Sequence, residues 1–156
     1  MTPGQEIQIA IDRMNLLQLF SKYCHLVSRC DFERLSEIFT DDAKFDYSSL
    51  GETVKGQKTV RCGVDSFIGF LKSTMDDIGP GLTHLMTNHW VEVQGDKADI
   101  VSHSTVLNLP VGGCLTTRAL RTPQGWRFDS LHYEYRSYSG VAKALGFDVS
   151  VLAIGK

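Results

Sequence analysis

Apolar positions recur at two different periods along this 156-residue chain, and the change falls near Leu82. Before that point they return every three or four residues, the spacing that lines one face of a helix. Leu16, Leu19, Phe20, Tyr23, Leu26 and Val27 form such a face and predict a helix over 6–28, with Gln18, Lys22, His25 and Arg29 on the opposite side. Phe32, Leu35, Ile38 and Phe39 predict a second, short helix, with Asp31 placed to accept from the free N–H groups of its first turn. Thr40-Asp41-Asp42 should break that helix. Ala43, Phe45 and Tyr47 then alternate with Lys44, Asp46 and Ser48, which predicts a half-buried strand with Tyr47 facing inward. Gly51 and Gly56 bracket a loop or short hairpin around Thr53-Val54. Helical period returns over 64–78 through Phe67, Ile68, Leu71 and Met75, and Gly79-Pro80-Gly81 stops it.

From Leu82 onward the period is two. Strands are predicted over 83–94, 98–109, 114–122 and 126–136, punctuated by Gln94-Gly95-Asp96, Pro110-Val111-Gly112-Gly113 and Pro123-Gln124-Gly125. The apolar tail 139–156 is expected to pack on the body or on another subunit. Helices first and a meander of strands last define an α+β fold with helices on one face of an antiparallel sheet. A strongly bent sheet with helices across its open side makes a cone, and such a cone encloses an apolar pocket. The expectation is one domain over 1–156, with its core in 6–138.

Composition narrows the class. Apolar residues make up 42% of the chain and charged residues 22%, and a net charge of −2 with both signs interspersed offers no basic stripe for a phosphate backbone. Nucleic acid is therefore not an expected partner. The N-terminal stretch MTPGQEIQIAIDRMN lacks the basic and apolar regions of a secretory signal, and no window supplies the roughly 18 apolar residues of a membrane span. Cys24, Cys30, Cys62 and Cys114 form no metal-ligand spacing, so four reduced thiols in a cytoplasmic protein are expected.

Strand alternation decides which polar residues can meet. On 83–94, His84, Met86, Asn88 and Trp90 share one face, and Leu85, Thr87, His89 and Val91 the other. His84 and His89 are an odd number apart and should not converge. On 98–109 one face carries Asp99, Val101, His103, Thr105, Leu107 and Leu109, which lets His103 face His84 across the sheet. Two histidines without a carboxylate cluster do not make a metal site, and none is expected. His84 is the best candidate base, since an imidazole titrates near neutrality without much tuning. Tyr47 could hold a substrate oxygen or a water. Each has a plainer alternative: His84 as a hydrogen-bonded structural residue, Tyr47 as a core aromatic, and Asn88 as a bulge or pocket amide. In the same way His103 could be a packed or half-exposed residue, His132 sheet surface or interface, and Asp31 a helix cap.

Three stretches carry a resemblance: Leu35-Ser-Glu-Ile-Phe-Thr-Asp-Asp-Ala43, Thr83-His84-Leu-Met-Thr-Asn88 and Val91-Glu-Val-Gln-Gly-Asp-Lys-Ala98. Together they resemble the SnoaL-like family, in the superfamily of nuclear transport factor two, ketosteroid isomerase and scytalone dehydratase, over about residues 8–136. That superfamily holds isomerases, dehydratases, cyclases, dehydrohalogenases and non-catalytic binders, so the likeness specifies fold more than reaction. In scytalone dehydratase and hexachlorocyclohexane dehydrochlorinase a strand histidine is the base, oriented by an aspartate near the end of the first helix. His84 matches that histidine, and Tyr47 resembles the tyrosine that positions a water on the substrate carbonyl. Ser28 stands where the aspartate is expected, and Asp31 matches a second acidic position three residues on. The dehydratase's second histidine falls at Leu109.

The resemblance implies a cofactor-independent lyase or isomerase acting on a small, largely apolar cyclic carbonyl compound. His84, Tyr47 and Asp31 would be catalytic, and Ser28, Tyr23, Phe45, Met86, Asn88, His103 and Leu107 would line the substrate. The alternative is a non-enzymatic ligand-binding or dimerisation domain of the same fold. A homodimer or higher homo-oligomer is expected, through outer-face residues Leu85, Val91 and Val93.

Overall fold

A computed structural model describes residues 1–75, 81–107 and 111–137. The first helix, α1, runs from Pro3 to Ser28. Thr2 caps it: its hydroxyl accepts from the Gln5 N–H while the Gln5 side chain accepts from the Thr2 N–H, and Pro3 fills the first helical position. A short 3-10 helix follows at Phe32–Glu37. Strands β1 (Phe39–Asp46), β2 (Thr53–Val54), β3 (Gln57–Lys58) and β4 (Val60–Cys62) lead into helix α2 (Val64–Met75). Four long strands then follow: β5 (Thr83–Gln94), β6 (Lys97–Leu107), β7 (Val111–Thr122) and β8 (Gly125–Ser137).

Six strands form one sheet in the order β4-β1-β8-β7-β6-β5, with β1 parallel to β8 and the remaining pairs antiparallel. Both helices pack on its inner face, and the core between the layers is aromatic. Phe39 sits at its centre, with ring centroids of Phe45, Phe128, Tyr23 and Phe67 at 4.9, 5.6, 6.0 and 6.0 Å.

The start of β1 differs from the sequence reading. Thr40-Asp41-Asp42 lies inside the strand, and Phe39 opens it instead of ending a helix. Pairing explains the difference: the Phe128 N–H donates to the Ile38 carbonyl at 2.8 Å, and Phe39 and Ala43 are fully buried, which outweighs the turn preference of two aspartates. Asp31 does not cap the following helix; its side chain makes no cap hydrogen bond and lies 3.5 Å from the Arg34 guanidinium. The strand β7 also begins earlier than expected, so that Gly112 and Gly113 belong to the sheet and not to a turn. The tail 139–156 and Leu109 lie outside the described residues.

The N-terminal half of α1 is fastened to the sheet by a buried charge. Asp12 is only 2% exposed, and its carboxylate accepts two hydrogen bonds from Arg121 at 2.7 and 3.0 Å and one from Trp126 Nε1 at 3.1 Å. The Arg121 guanidinium also lies 4.5 Å from the Trp126 ring centroid. The hydrogen bond from Arg121 is the main cause that holds the Asp12 carboxyl below its usual range, against the opposing effect of burial. Stability from this group is therefore present above the carboxyl's unfolded pKa and is lost as pH falls through its lowered folded value. Asp12→Ala would leave the buried Trp126 N–H unpaired and remove one of the two carboxylates on Arg121, and should lower unfolding free energy by about 1–3 kcal/mol in urea denaturation. A loss below about 1 kcal/mol, the scale of a surface pair, would contradict this role.

Candidate functional site

The inner face of β5 carries the site, and its register depends on a bulge. Thr87 pairs with His103 and Trp90 with Val101, so Asn88 and His89 together oppose Ser102 alone. Asn88 takes up the extra residue in the left-handed region at φ 54°, a conformation that asparagine tolerates better than most residues. Side-chain alternation resets there. His84 and Met86 face inward before the bulge, and His89, Val91 and Val93 face inward after it.

Three expectations are corrected by this reset. His84 and His89 do share a face. Asn88 and His103 lie together on the outer face, Asn88 Nδ2 at 3.3 Å from His103 Nδ1, so neither reaches the interior. Val91 and Val93 pack against the core, not on the outside, whereas Leu85, Trp90, Val101 and Leu107 are exposed there. Phe45 is also displaced from its expected place: it is buried in the core, stacked on Phe67 with centroids 4.0 Å apart.

The helix α1 covers the open edge of β5. Ser28 Oγ accepts the His84 backbone N–H at 3.0 Å, and the Met86 N–H meets the Cys24 sulfur. The match is geometric: a four-residue step along a helix spans about 6 Å and a two-residue step along a strand about 6.6 Å. Edge donors that would otherwise be unpaired are satisfied by two side chains of one helix face. Ser28 Oγ also lies 3.5 Å from His84 Nδ1, at the limit of a hydrogen bond. Burial pushes the His84 pKa down and is the only cause of its shift, and pushes the Cys24 thiol up to about 11. At neutral pH His84 is thus a neutral imidazole and Cys24 an unreactive thiol.

Inside, His84 borders a cavity of about 170 Å³ whose walls include Tyr23, Tyr47, Met86, Ser104 and Tyr133. Tyr23 and Tyr47 meet hydroxyl to hydroxyl at 3.3 Å. Burial pushes Tyr23 up to about 12 and Tyr47 well above its ordinary value, so both remain phenols able to donate. Outside, His84 and Met86 also border a groove of about 360 Å³ between α1 and β5, with Ser21, Cys24, His25 and His89. His89 is committed elsewhere. Its Nδ1 lies 2.8 Å from Ser102 Oγ, its ring stands 5.0 Å from Phe20, and it hydrogen-bonds the Met86 carbonyl. Asp31 stays with Arg34 and borders neither space. Among the described residues, no group of three or more His, Cys, Asp or Glu side chains could hold a metal ion.

Of the sequence candidates, the structure therefore brings together His84, Ser28, Tyr23, Tyr47 and Met86. It adds Ser104 and Tyr133, which sequence reasoning missed. Tyr133 was signalled by its two-residue step from the buried Leu131, the same alternation that marks the other strands.

A few helices lying on one face of a six-stranded mixed sheet define the NTF2-like cone. A crystal structure of an NTF2-like protein with a cystatin-like fold from Novosphingobium aromaticivorans superposes with a TM-score of 0.72 at 22% identity, over 91% of this chain and 93% of that one. A scytalone dehydratase candidate from the same organism gives 0.68 at 14% identity, over 81% and 85%. The model of the SnoaL-like domain matches residues 8–132, and this chain belongs to that family. An uncharacterised protein of Mycobacterium tuberculosis H37Rv is 27% identical over 128 residues, 74% of this chain and 80% of its own length.

Asn88→Gly should leave stability within about 0.5 kcal/mol, because glycine adopts the same backbone conformation at no steric cost. Asn88→Val should cost about 1–3 kcal/mol, since a β-branched residue resists positive φ. Equal melting temperatures for the two variants would show that the bulge does not constrain the strand.

Proposed function

We propose that this protein is a cofactor-independent lyase or isomerase that uses His84 as general base on a small cyclic carbonyl compound. One observation carries the reading: a neutral, half-buried imidazole borders the same small cavity as a pair of phenol hydroxyls. In the proposed reaction the substrate carbonyl oxygen accepts from Tyr47, with Tyr23 holding the Tyr47 hydroxyl. His84 takes the proton from the adjacent carbon, and the C–H electron pair moves into an enolate whose oxygen charge the phenol stabilises. Two outcomes follow from that enolate. Return of the proton at another carbon completes an isomerisation. Expulsion of a β-hydroxyl, protonated by the imidazolium, completes a dehydration. Likeness to the scytalone dehydratase candidate supports this class by analogy of fold.

Ser28 sets the strength of the base. A serine hydroxyl fixes the imidazole's orientation but does not stabilise imidazolium as a carboxylate would. That observation favours the second reading, a non-enzymatic binder in which the cavity only captures its ligand.

Exchange of α-protons separates the two. The protein should accelerate deuterium uptake by cyclohexanone in D₂O, and His84→Ala should reduce that acceleration by about 10²–10⁴-fold with the fold intact by circular dichroism. No acceleration by the native protein, or full retention in His84→Ala, would contradict the base. The pH profile follows in sign. The neutral form of His84 persists as pH falls below the ordinary histidine value of about 6.5, so exchange should hold to below that pH and only then decline.

Self-association is proposed through the outer sheet face, where Leu85, Trp90, Val101 and Leu107 are exposed, Trp90 at 68%. Light scattering should give an oligomer at micromolar concentration that Trp90→Glu dissociates. A monomeric native protein would remove this proposal.

A further inference from the structure

Tyr133 lies on a glycine. Gly113 on β7 pairs with Ser104 of β6 on one side and with Tyr135 of β8 on the other, in the interior of the sheet. Its backbone dihedral is not in the left-handed region, so conformational freedom is not why glycine stands there. Space is the reason. A Cβ at this position would lie 2.6 Å from Tyr133 Cε2 and 2.8 Å from Tyr133 Cζ, and would also run into the Glu134 carbonyl oxygen. Those separations are far inside van der Waals contact. Tyr133 pairs directly with Leu115, so its ring leans diagonally across two residues of β7 to occupy the room that Gly113 leaves.

This placement shapes the cavity beside His84. With the Tyr133 ring laid against the sheet, its centroid is 5.4 Å from that of Tyr47, and the two rings with Tyr23 wall one side of the space. A side chain at position 113 would press on both the Glu134 backbone carbonyl and the Tyr133 phenol, and would displace the ring from the strand into the volume a ligand would use. Conversely, the ring where it lies caps how far a ligand can extend toward β7. The volume of about 170 Å³ is well below the roughly 300–1,000 Å³ of sites that hold drug-sized ligands.

We propose that Gly113 and Tyr133 act together as the size-determining pair of this cavity, restricting it to single-ring carbonyl compounds. The proposal rests on the reading of that cavity as the ligand site. Gly113 acts through Tyr133 and is a positioning residue; Tyr133 is the wall itself.

The test compares one ring with two. Binding of cyclohexanone and of 2-tetralone, a fused two-ring ketone, is measured by NMR titration for the native protein and for Tyr133→Leu, with folding verified by circular dichroism. Native protein should favour cyclohexanone, and Tyr133→Leu should shift the affinity ratio toward 2-tetralone by at least tenfold. Gly113→Ala supplies the opposite arm: where it folds, cyclohexanone affinity should fall by at least tenfold. An unchanged ratio in Tyr133→Leu overturns the proposal while leaving the cavity as a ligand site. Unchanged cyclohexanone affinity in folded Gly113→Ala overturns it as well. Failure of both ketones to bind the native protein overturns the reading of the cavity together with the proposal.

Discussion

Asn88 holds a left-handed backbone conformation in the middle of a twelve-residue strand, and the arrangement of the inner sheet face depends on it. A strand has a side-chain period of two, so one extra residue transfers everything beyond it to the other face. Here the transfer turns His89, Val91 and Val93 inward and leaves Trp90 outside. Without it the second half of β5 would present an indole and two charged or amide side chains to the core. Behind the bulge, Asn88 meets His103 on the exposed outer face. Asparagine at this position thus serves the backbone, and the polar group it offers is turned away from the cavity.

The placement of His84 depends equally on how α1 meets that strand. Two different interactions fix the helix against the sheet. Near its N-terminal half, the Asp12 carboxylate is gripped by Arg121 and Trp126; near its C-terminus, Ser28 and Cys24 take up the edge donors of β5. The second contact sets His84 in place through its own backbone N–H, so the position of the imidazole is determined by main-chain pairing and its electronic character by burial. A carboxylate at position 28 would raise the imidazole's basicity. With serine there, the proposed base is weaker, suited to protons already acidified by a carbonyl that accepts from the Tyr47 phenol.

Much of this was legible in the residues. The switch from helical to alternating period near Leu82, the pairing of His84 with Met86 on one face, and the placement of Tyr47 near the cavity all followed from spacing. The resemblance to the SnoaL-like family was carried by short strings and is matched over residues 8–132. What could not be read was register. Asn88 was weighed as a bulge or a pocket amide, but period-two reasoning continued through it and so separated His84 from His89. The same limit hid Gly113, which looked like turn punctuation because its reason for being glycine is a tyrosine twenty residues away. Asp12 carried no signal of its own in the sequence, since the arginine and tryptophan that bury it lie more than a hundred residues on.

Taken together, the bulge, the helix contact and the two phenols make one arrangement in which a neutral imidazole and a hydrogen-bond donor face a common space of about 170 Å³. The central claim is that His84 is a ligand-facing, titratable base and not a packing residue. The most direct measurement is ¹⁵N NMR of the His84 imidazole across pH, with and without cyclohexanone. The account requires a midpoint below about 6.5 that moves when the ketone is added. An imidazole that never protonates before the protein unfolds, or whose resonance ignores the ketone while others respond, would contradict it.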